Sequence, residues 1–318
     1  MHKNNLVSVI ILTWNRKDDT LETIGKIKRS DYKEVEIILV DNASEDGTDK
    51  VVRETHPDVQ YIYLKENIGI GGYNHGLESA SGEFVVFLDS DSYPDPWAIG
   101  RMVRVFQAQP GLGAVAFDVR NAGLEKVPNH QSQAPGEKPE NRPLATGAGQ
   151  PATGSQVFNP SGGTETGSYN GAGVGIRRDC LKKAGALFSP LFLYLNEFDH
   201  SFRIWNSGYR IKHFPDIFAY HKASPTGRTS SRAAYFYTRN MLWIIWRYFP
   251  ASRMAPILFS FFYHAAIFSL SQGTTIYLKA ILDAFVKLPM IFRNRVVVAG
   301  TVLDKIRLPV KWVFMSYG

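Results

Sequence analysis

Apolar residues in the first third of the chain come in short, β-branched runs rather than in alternation with polar ones. The runs are VSVIILT (7–13), EVEIILVD (34–41), VQYIYL (59–64) and EFVVFLD (83–89). Unbroken runs of this length predict strands buried on both faces, the third shorter and nearer an edge. Between them, residues 18–30 place Leu21, Ile24 and Ile27 on one stripe, and 72–80 predict a second helix. Strands alternating with helices at this spacing predict an α/β fold, a mainly parallel sheet with helices on both faces. Ligands of such sheets bind beyond the carboxyl ends of the strands. That singles out Thr13-Trp14-Asn15, Asp41-Asn42 and Asp89-Ser90-Asp91.

The pattern changes near residue 121. Residues 122–168 are rich in Gly, Pro, Ser, Thr, Asn and Gln and predict a long, flexible loop. Order returns with a short strand at GVGI and a helix over 177–185 closed by Gly185. Residues 233–293 are apolar and aromatic, punctuated by Pro250, Pro256 and Pro289. The window 255–270 is nearly long enough to span a bilayer, but His264 interrupts it. Helices lying in a membrane interface are expected, with a plain helical subdomain or a self-association surface as the alternative. The last segment, RVVVAGTVLDKIRLPVKW, predicts no element.

Charge sharpens this division. The 318-residue chain carries a net charge of +7. From Arg228 to Gly318 there are twelve Lys/Arg against two acids, which is +10 and leaves −3 for residues 1–227. A basic C-terminal third suits an anionic membrane or nucleic acid. Its aromatics sit inside apolar runs instead of between cations, which favours lipid over nucleic acid. One cysteine, Cys180, rules out an internal disulfide and fits a reducing compartment. The N-terminal apolar run of about seven residues is shorter than a secretory signal needs and suits a strand.

Two acids one residue apart at the end of a buried strand call for a partner, because close carboxylates repel and desolvation is costly. Mg²⁺ or Mn²⁺ would relieve both problems at Asp89 and Asp91. The alternative is a solvated turn in which Asp89 caps a helix starting near Pro94. Asp41 also follows an apolar run, and could accept a nucleobase N–H or cap the helix after it. In ENIGIGGYNHG (66–76) the glycines allow backbone N–H groups to approach a phosphate or sugar. No Gly-Lys-Ser/Thr follows, so this is not a P-loop.

Taken in order, VSVIILTWNR, IILVDNASEDGT, ENIGIGGYNHGL, VVFLDSDSYPDP, YNGAGVGIRRDCLKKAG, FLYLNEFDHSFR and AYH resemble the family 2 glycosyltransferases of the GT-A fold over about residues 6–224. The resemblance implies a catalytic domain at 1–227 and a helical, basic, membrane-associating or dimerising region at 228–318. It implies that Thr13, Asn15, Arg16, Asp41, Asn67, Gly71, Gly72, Asn74, Asp89 and Ser90 bind the nucleotide sugar. Asp91 and Asp89, completed by His221, would hold Mg²⁺ or Mn²⁺; a plain surface histidine is the other reading of His221. Gly171, Ala172 and Trp205 would contact the acceptor. The family's Glu-Asp-x-Asp motif is replaced by Asn196-Glu197-Phe198-Asp199, so the base position falls on Glu197, with Asp199 as the alternative. Residues two apart on a helix do not share a face, so one of the two is expected to point at the acceptor.

The implied reaction moves one sugar, with inversion, from a nucleotide diphosphate sugar to a saccharide or lipid-linked acceptor of cell-surface polysaccharide synthesis. It would take place on the cytoplasmic, inner face of the plasma membrane. The Gln-x-x-Arg-Trp motif of processive synthases is missing. The rival readings are a nucleotidyltransferase and a non-catalytic nucleotide-sugar-binding protein on the same fold.

Overall fold

The structure, a computed structural model, describes residues 3–122, 158–222, 231–310 and 314. The chain runs through β1 (Lys3–Thr13), α1 (Lys17–Lys28), β2 (Val35–Asp41), α2 (Thr48–Thr55), β3 (Gln60–Tyr63), α3 (Gly72–Ser79) and β4 (Gly82–Asp89). It continues with β5 (Ser92–Pro94), α4 (Ala98–Ala108), β6 (Leu112–Asn121), β7 (Thr164–Glu165), β8 (Val174–Arg177), α5 (Arg178–Ala184), α6 (Asn196–Asn206) and β9 (Arg210–His221). Helices α7 (Ser231–Tyr248), α8 (Ala251–Ser271), α9 (Ile276–Val286), α10 (Leu288–Arg293) and α11 (Gly300–Lys305) follow.

The strands form one sheet in the order β3-β2-β1-β4-β8-β6-β9-β5, with β7 added to β9. The continuous apolar runs have their reason in two cores. Val7, Val9 and Ile11 of β1 enter a cluster with Ile24 and Ile27 of α1 and Met102 and Phe106 of α4. Ile10 enters another, with Tyr73, Phe202 of α6 and Trp243 of α7. Both faces of the strand are therefore covered, and period-two polarity disappears.

Register sets up the site. β1 lies parallel between β2 and β4, with Thr13 level with Asp41 and Leu12 level with Asp89. The sheet then reverses at β8, which is antiparallel to both β4 and β6. β9 follows β6 in parallel, and its pairing skips from Phe117–Phe214 to Asp118–Phe218. Pro215 falls in this bulge, where it owes the ladder no N–H. Short β5 pairs antiparallel with the end of β9, setting Ser92 opposite His221. His221 thereby lies beside Asp91, more than a hundred residues away in sequence.

Three expectations change. The sequence pattern gives no strand at β5, β6 or β9, and the helix expected near Pro94 starts later, at Ala98, as α4. Of the expected loop 122–168, residues 123–157 lie outside the described residues, while Thr164–Glu165 form β7. The expected boundary after residue 227 does not separate two cores. Trp243 and Tyr248 of α7 are fully buried, and the Tyr248 ring stacks on Phe202 of α6 at 4.7 Å. Helix α7 is thus part of the body that carries the site.

Helix α8 packs on that body through a narrow face, Phe261 and Ala265, and exposes much of the rest. It is the one helix among the described residues long and apolar enough to cross a membrane. Phe259 (77% exposed), Tyr263, Ile267 and Leu270 (84% exposed) recur every three or four residues as an outward stripe. Leu278, Leu282, Phe285 and Val286 do the same on α9.

Candidate active site

The carboxyl ends of β1 and β4 open on a cleft of about 830 Å³. One wall is Thr13 to Arg16. Asn15 has φ 52°, a left-handed conformation that Asn tolerates better than most residues. Its N–H donates to Ser44 Oγ at 2.8 Å and its Oδ1 accepts from the Glu45 N–H at 2.8 Å, tying the end of β1 to the loop after β2. The Thr13 hydroxyl lies 2.8 Å from that of Thr20.

The floor is acidic. Asp89, Asp91 and His221 each offer a ligand atom, and the three atoms lie within 4.8 Å of one another. His221 Nε2 is 3.3 Å from Asp91 Oδ1, and Arg16 Nη1 is 2.9 Å from Asp91 Oδ2. Burial and the charge of Asp91 push the Asp89 carboxyl up to about 6. Asp91 is also buried, which would raise it, but the His221 hydrogen bond and the charges of His221 and Arg16 hold it below the usual carboxylate range. Two carboxylates and an imidazole at this spacing fit a small divalent cation such as Mn²⁺. The capping alternative for Asp89 fails, because α4 starts at Ala98 and the Trp97 N–H is taken by Asp95 at 3.0 Å.

Tyr73 is a residue that the motifs missed. Its hydroxyl donates to Asp89 Oδ1 at 3.0 Å from a buried ring packed edge-on to Phe87. Burial, with the negative charge of Asp89, raises the phenol well above its ordinary value, so it stays a donor. Its place depends on the glycines before it. A Cβ on Gly72 would stand 2.5 Å from Leu12, and one on Gly71 would press on Ser189. The tyrosine directly after that glycine pair was the available signal.

Across the cleft, Glu197 begins α6. Burial pushes its carboxyl up to about 7, against the lowering effect of hydrogen bonds from its own N–H and that of Gly171. Gly171 leaves room for it: a Cβ there would lie 2.8 Å from Glu197 Oε1 and displace that carboxylate. Ala172 lines the same wall. Asp199, the other expected catalytic acid, does not face the cleft. It is fully buried, pairs with Arg203 at 3.0 Å and with Arg247, and accepts the Tyr248 hydroxyl at 2.8 Å. With both oxygens enclosed by cations and a phenol, it cannot meet an acceptor.

The remaining expected residues divide. Asn67, Ser90 and Arg16 line the cleft. Asp41 does not: it is fully buried, accepting the Ser44 N–H at 2.8 Å and the Tyr61 hydroxyl, so its carboxylate holds the loop after β2. Asn74 faces away and braces Leu187 and Ser189 through bonds of 2.9–3.0 Å. Trp205, near the end of α6, is buried under the Lys305 ammonium, 4.4 Å from its ring, and does not line the cleft as the expected acceptor wall. Gly71 and Gly72 act by close packing.

Residues 8–182 match the family model described as Glycosyl transferase family 2. The chain is 41% identical over 90 residues to the GalNAc(5)-diNAcBac-PP-undecaprenol beta-1,3-glucosyltransferase of Campylobacter jejuni, covering 27% of this chain and 29% of that protein. It is 32% identical over 124 residues to the UDP-Glc:alpha-D-GlcNAc-diphosphoundecaprenol beta-1,3-glucosyltransferase of Escherichia coli, covering 38% and 47%. The chain spans less than half the length of these curated relatives. Among solved structures, GalNAc-T7 with UDP, GalNAc and Mn²⁺ superposes with a TM-score of 0.60 at 18% identity, covering 88% of this chain and 54% of that one. The mannosyltransferase of Pyrobaculum calidifontis in complex with GDP-Man and Mn²⁺ gives 0.52 at 19% identity, covering 97% and 78%. These likenesses show the fold, which is GT-A as the resemblance implied.

Proposed function

The chain belongs to glycosyl transferase family 2, and from that premise we propose that it moves one sugar from a nucleoside diphosphate sugar to an acceptor hydroxyl, inverting the anomeric carbon. The observation that carries this reading is that Glu197 and the Asp89–Asp91–His221 cluster line one cleft. Thr13, Asn15, Asn67 and Ser90 wall the donor side. Gly171 and Ala172, with the stacked rings of Tyr194 and Tyr237, wall the acceptor side.

Glu197 takes the proton of the acceptor hydroxyl as its oxygen attacks the anomeric carbon. The bond to the diphosphate breaks as the new bond forms, so one displacement inverts the centre. Its raised carboxyl suits a base working near neutral pH. Asp89, Asp91 and His221 would hold Mn²⁺ or Mg²⁺, which when bound supplies positive charge against the leaving diphosphate. Arg16, paired with Asp91 at 2.9 Å, would add a second positive charge for the same phosphates. The Mn²⁺ and the nucleotides named with the solved neighbours support these choices.

The proposed acceptor is a lipid-linked saccharide of surface-polysaccharide assembly, as the names of the curated relatives suggest. The outward stripes of α8 and α9 would rest in the membrane interface on its cytoplasmic face. Lys279 and Arg293, which meet no acid among the described residues, would face anionic headgroups. A screen of UDP-, GDP- and dTDP-sugars tests the reaction. Mn²⁺-dependent release of nucleoside diphosphate supports it. Consumption of a nucleoside triphosphate with release of pyrophosphate would instead mark a nucleotidyltransferase, and saturable binding without turnover a binding protein.

A further inference from the structure

The segment that delivers Glu197 to the cleft is held in an unusual backbone path. Phe192, Tyr194 and Leu195 have φ of 62°, 64° and 61°, a region that side-chain-bearing residues seldom occupy. Such conformations persist only where the surroundings over-determine them, and they gather at functional sites.

The surroundings here are two neighbouring side chains of α7. Asn240 is fully buried, and its Nδ2 donates to the carbonyls of Leu191 (3.0 Å), Leu193 (2.7 Å) and Tyr194 (3.0 Å). Arg239 Nη2 donates to Pro190 O at 3.2 Å and Leu191 O at 2.9 Å. The same guanidinium donates to Asn240 Oδ1 at 2.9 and 3.1 Å. Only the amide oxygen can accept from arginine, so this contact settles which way the Asn240 amide faces. Arg239 is itself fixed by the rings of Trp243 (4.2 Å) and Phe236 (4.8 Å). Two turns of helix further on, Arg247 and Tyr248 hold Asp199. Helix α7 therefore grips the chain on both sides of Glu197.

We propose that Asn240, oriented by Arg239, is a positioning residue for the reaction: it fixes the carbonyls of Leu191, Leu193 and Tyr194 and so aims the Glu197 carboxylate into the cleft. The inference rests on the reading of Glu197 as the base. Neither Asn240 nor Arg239 bonds to Asp89, Asp91, His221 or the Thr13–Arg16 wall among the described residues, so donor binding should be insensitive to them.

The test compares full-length wild type with Asn240→Ala, Arg239→Lys and Glu197→Gln. Melting temperature, Mn²⁺-UDP and Mn²⁺-GDP affinity by calorimetry, and kcat across pH 5.5–9 are measured. A displacement of about 1 Å can cost about 10²-fold in rate. Asn240→Ala is thus expected to lose about 10²-fold in kcat with nucleotide affinity kept, and its half-maximal pH is expected to move from about 7. Arg239→Lys, which keeps the charge but not the fork, should lose less in the same pattern. Should Asn240→Ala not fold, Arg239→Lys decides alone. Wild-type kcat in the folded variants, with Glu197→Gln inactive, would overturn the proposal. So would a matched loss of nucleotide affinity and rate, which marks a merely structural role. An active Glu197→Gln would instead remove the reading of the base on which the proposal stands.

Discussion

Glu197 and Asp199 stand two residues apart at the start of one helix and have opposite surroundings. Glu197 faces the cleft beside Gly171, whereas Asp199 is enclosed by Arg203, Arg247 and Tyr248. Their substitutions should therefore separate chemistry from stability.

Glu197→Gln should lower kcat by about 10²- to 10⁴-fold, the usual worth of a general base, with nucleotide affinity little changed. In the wild type, kcat should rise with pH through about 7 as the carboxyl ionises. Steady-state rates from pH 5.5 to 9 check both; a flat acid limb would count against the assignment.

The same residue has a cost to folding. Its carboxyl lies near 7 in the fold and near 4.5 in an unfolded chain, so the folded state holds the proton more tightly. That contribution to stability is complete below about pH 4.5 and lost as pH rises through about 7. Glu197→Gln should then be more stable than the wild type at pH 8, by on the order of 1–3 kcal/mol, and about equal to it at pH 4.5. Paired melting curves at the two pH values read this out.

Asp199→Asn should act the other way. It leaves two buried guanidiniums short of their anion, which costs about 3–5 kcal/mol. Urea titration should show the loss, and whatever remains folded should keep the acid limb of its rate profile.

Tyr73→Phe removes one oxygen and leaves the packed ring. Partners that orient metal ligands are worth about 10- to 100-fold in affinity, so Mn²⁺ binding measured by calorimetry should weaken within that range. An unchanged affinity would mean that the phenol does not orient Asp89.

The outward stripes make a separate prediction. Leu270→Glu combined with Leu282→Glu should abolish flotation with anionic liposomes while leaving turnover of soluble donor unchanged. Retained flotation would move the contact elsewhere, and loss of a dimer in sedimentation would make the face a protein interface.

Much of this arrangement is readable in the sequence. β1, β2 and β4 announced themselves because both faces of the sheet are covered, and Asp89 and Asp91 because a buried strand ran into them. His221 could be proposed by resemblance, but its place beside Asp91 depends on β5 and β9. The latter is interrupted by Pro215 and carries polar residues, so its pattern is weak. The choice between Glu197 and Asp199 was open for a similar reason. Arg203, four residues on, is the local sign of this pairing, but Arg247 and Tyr248, which complete the enclosure, come from α7 some fifty positions later. Asp41, Asn74 and Trp205 were expected at the ligand, but their neighbours use them to brace loops and pack helices.

Helix α7 lies beyond the matched span of 8–182, yet it carries Asn240 and Arg247 to the segment around Glu197. This sets the place for a cut in any exchange of parts between relatives. A junction just before Ser231 would graft a foreign helix onto the catalytic segment. A junction at Pro250, in the extended link between α7 and α8, would keep the helix with its partners and let the outward helices be swapped as a cassette.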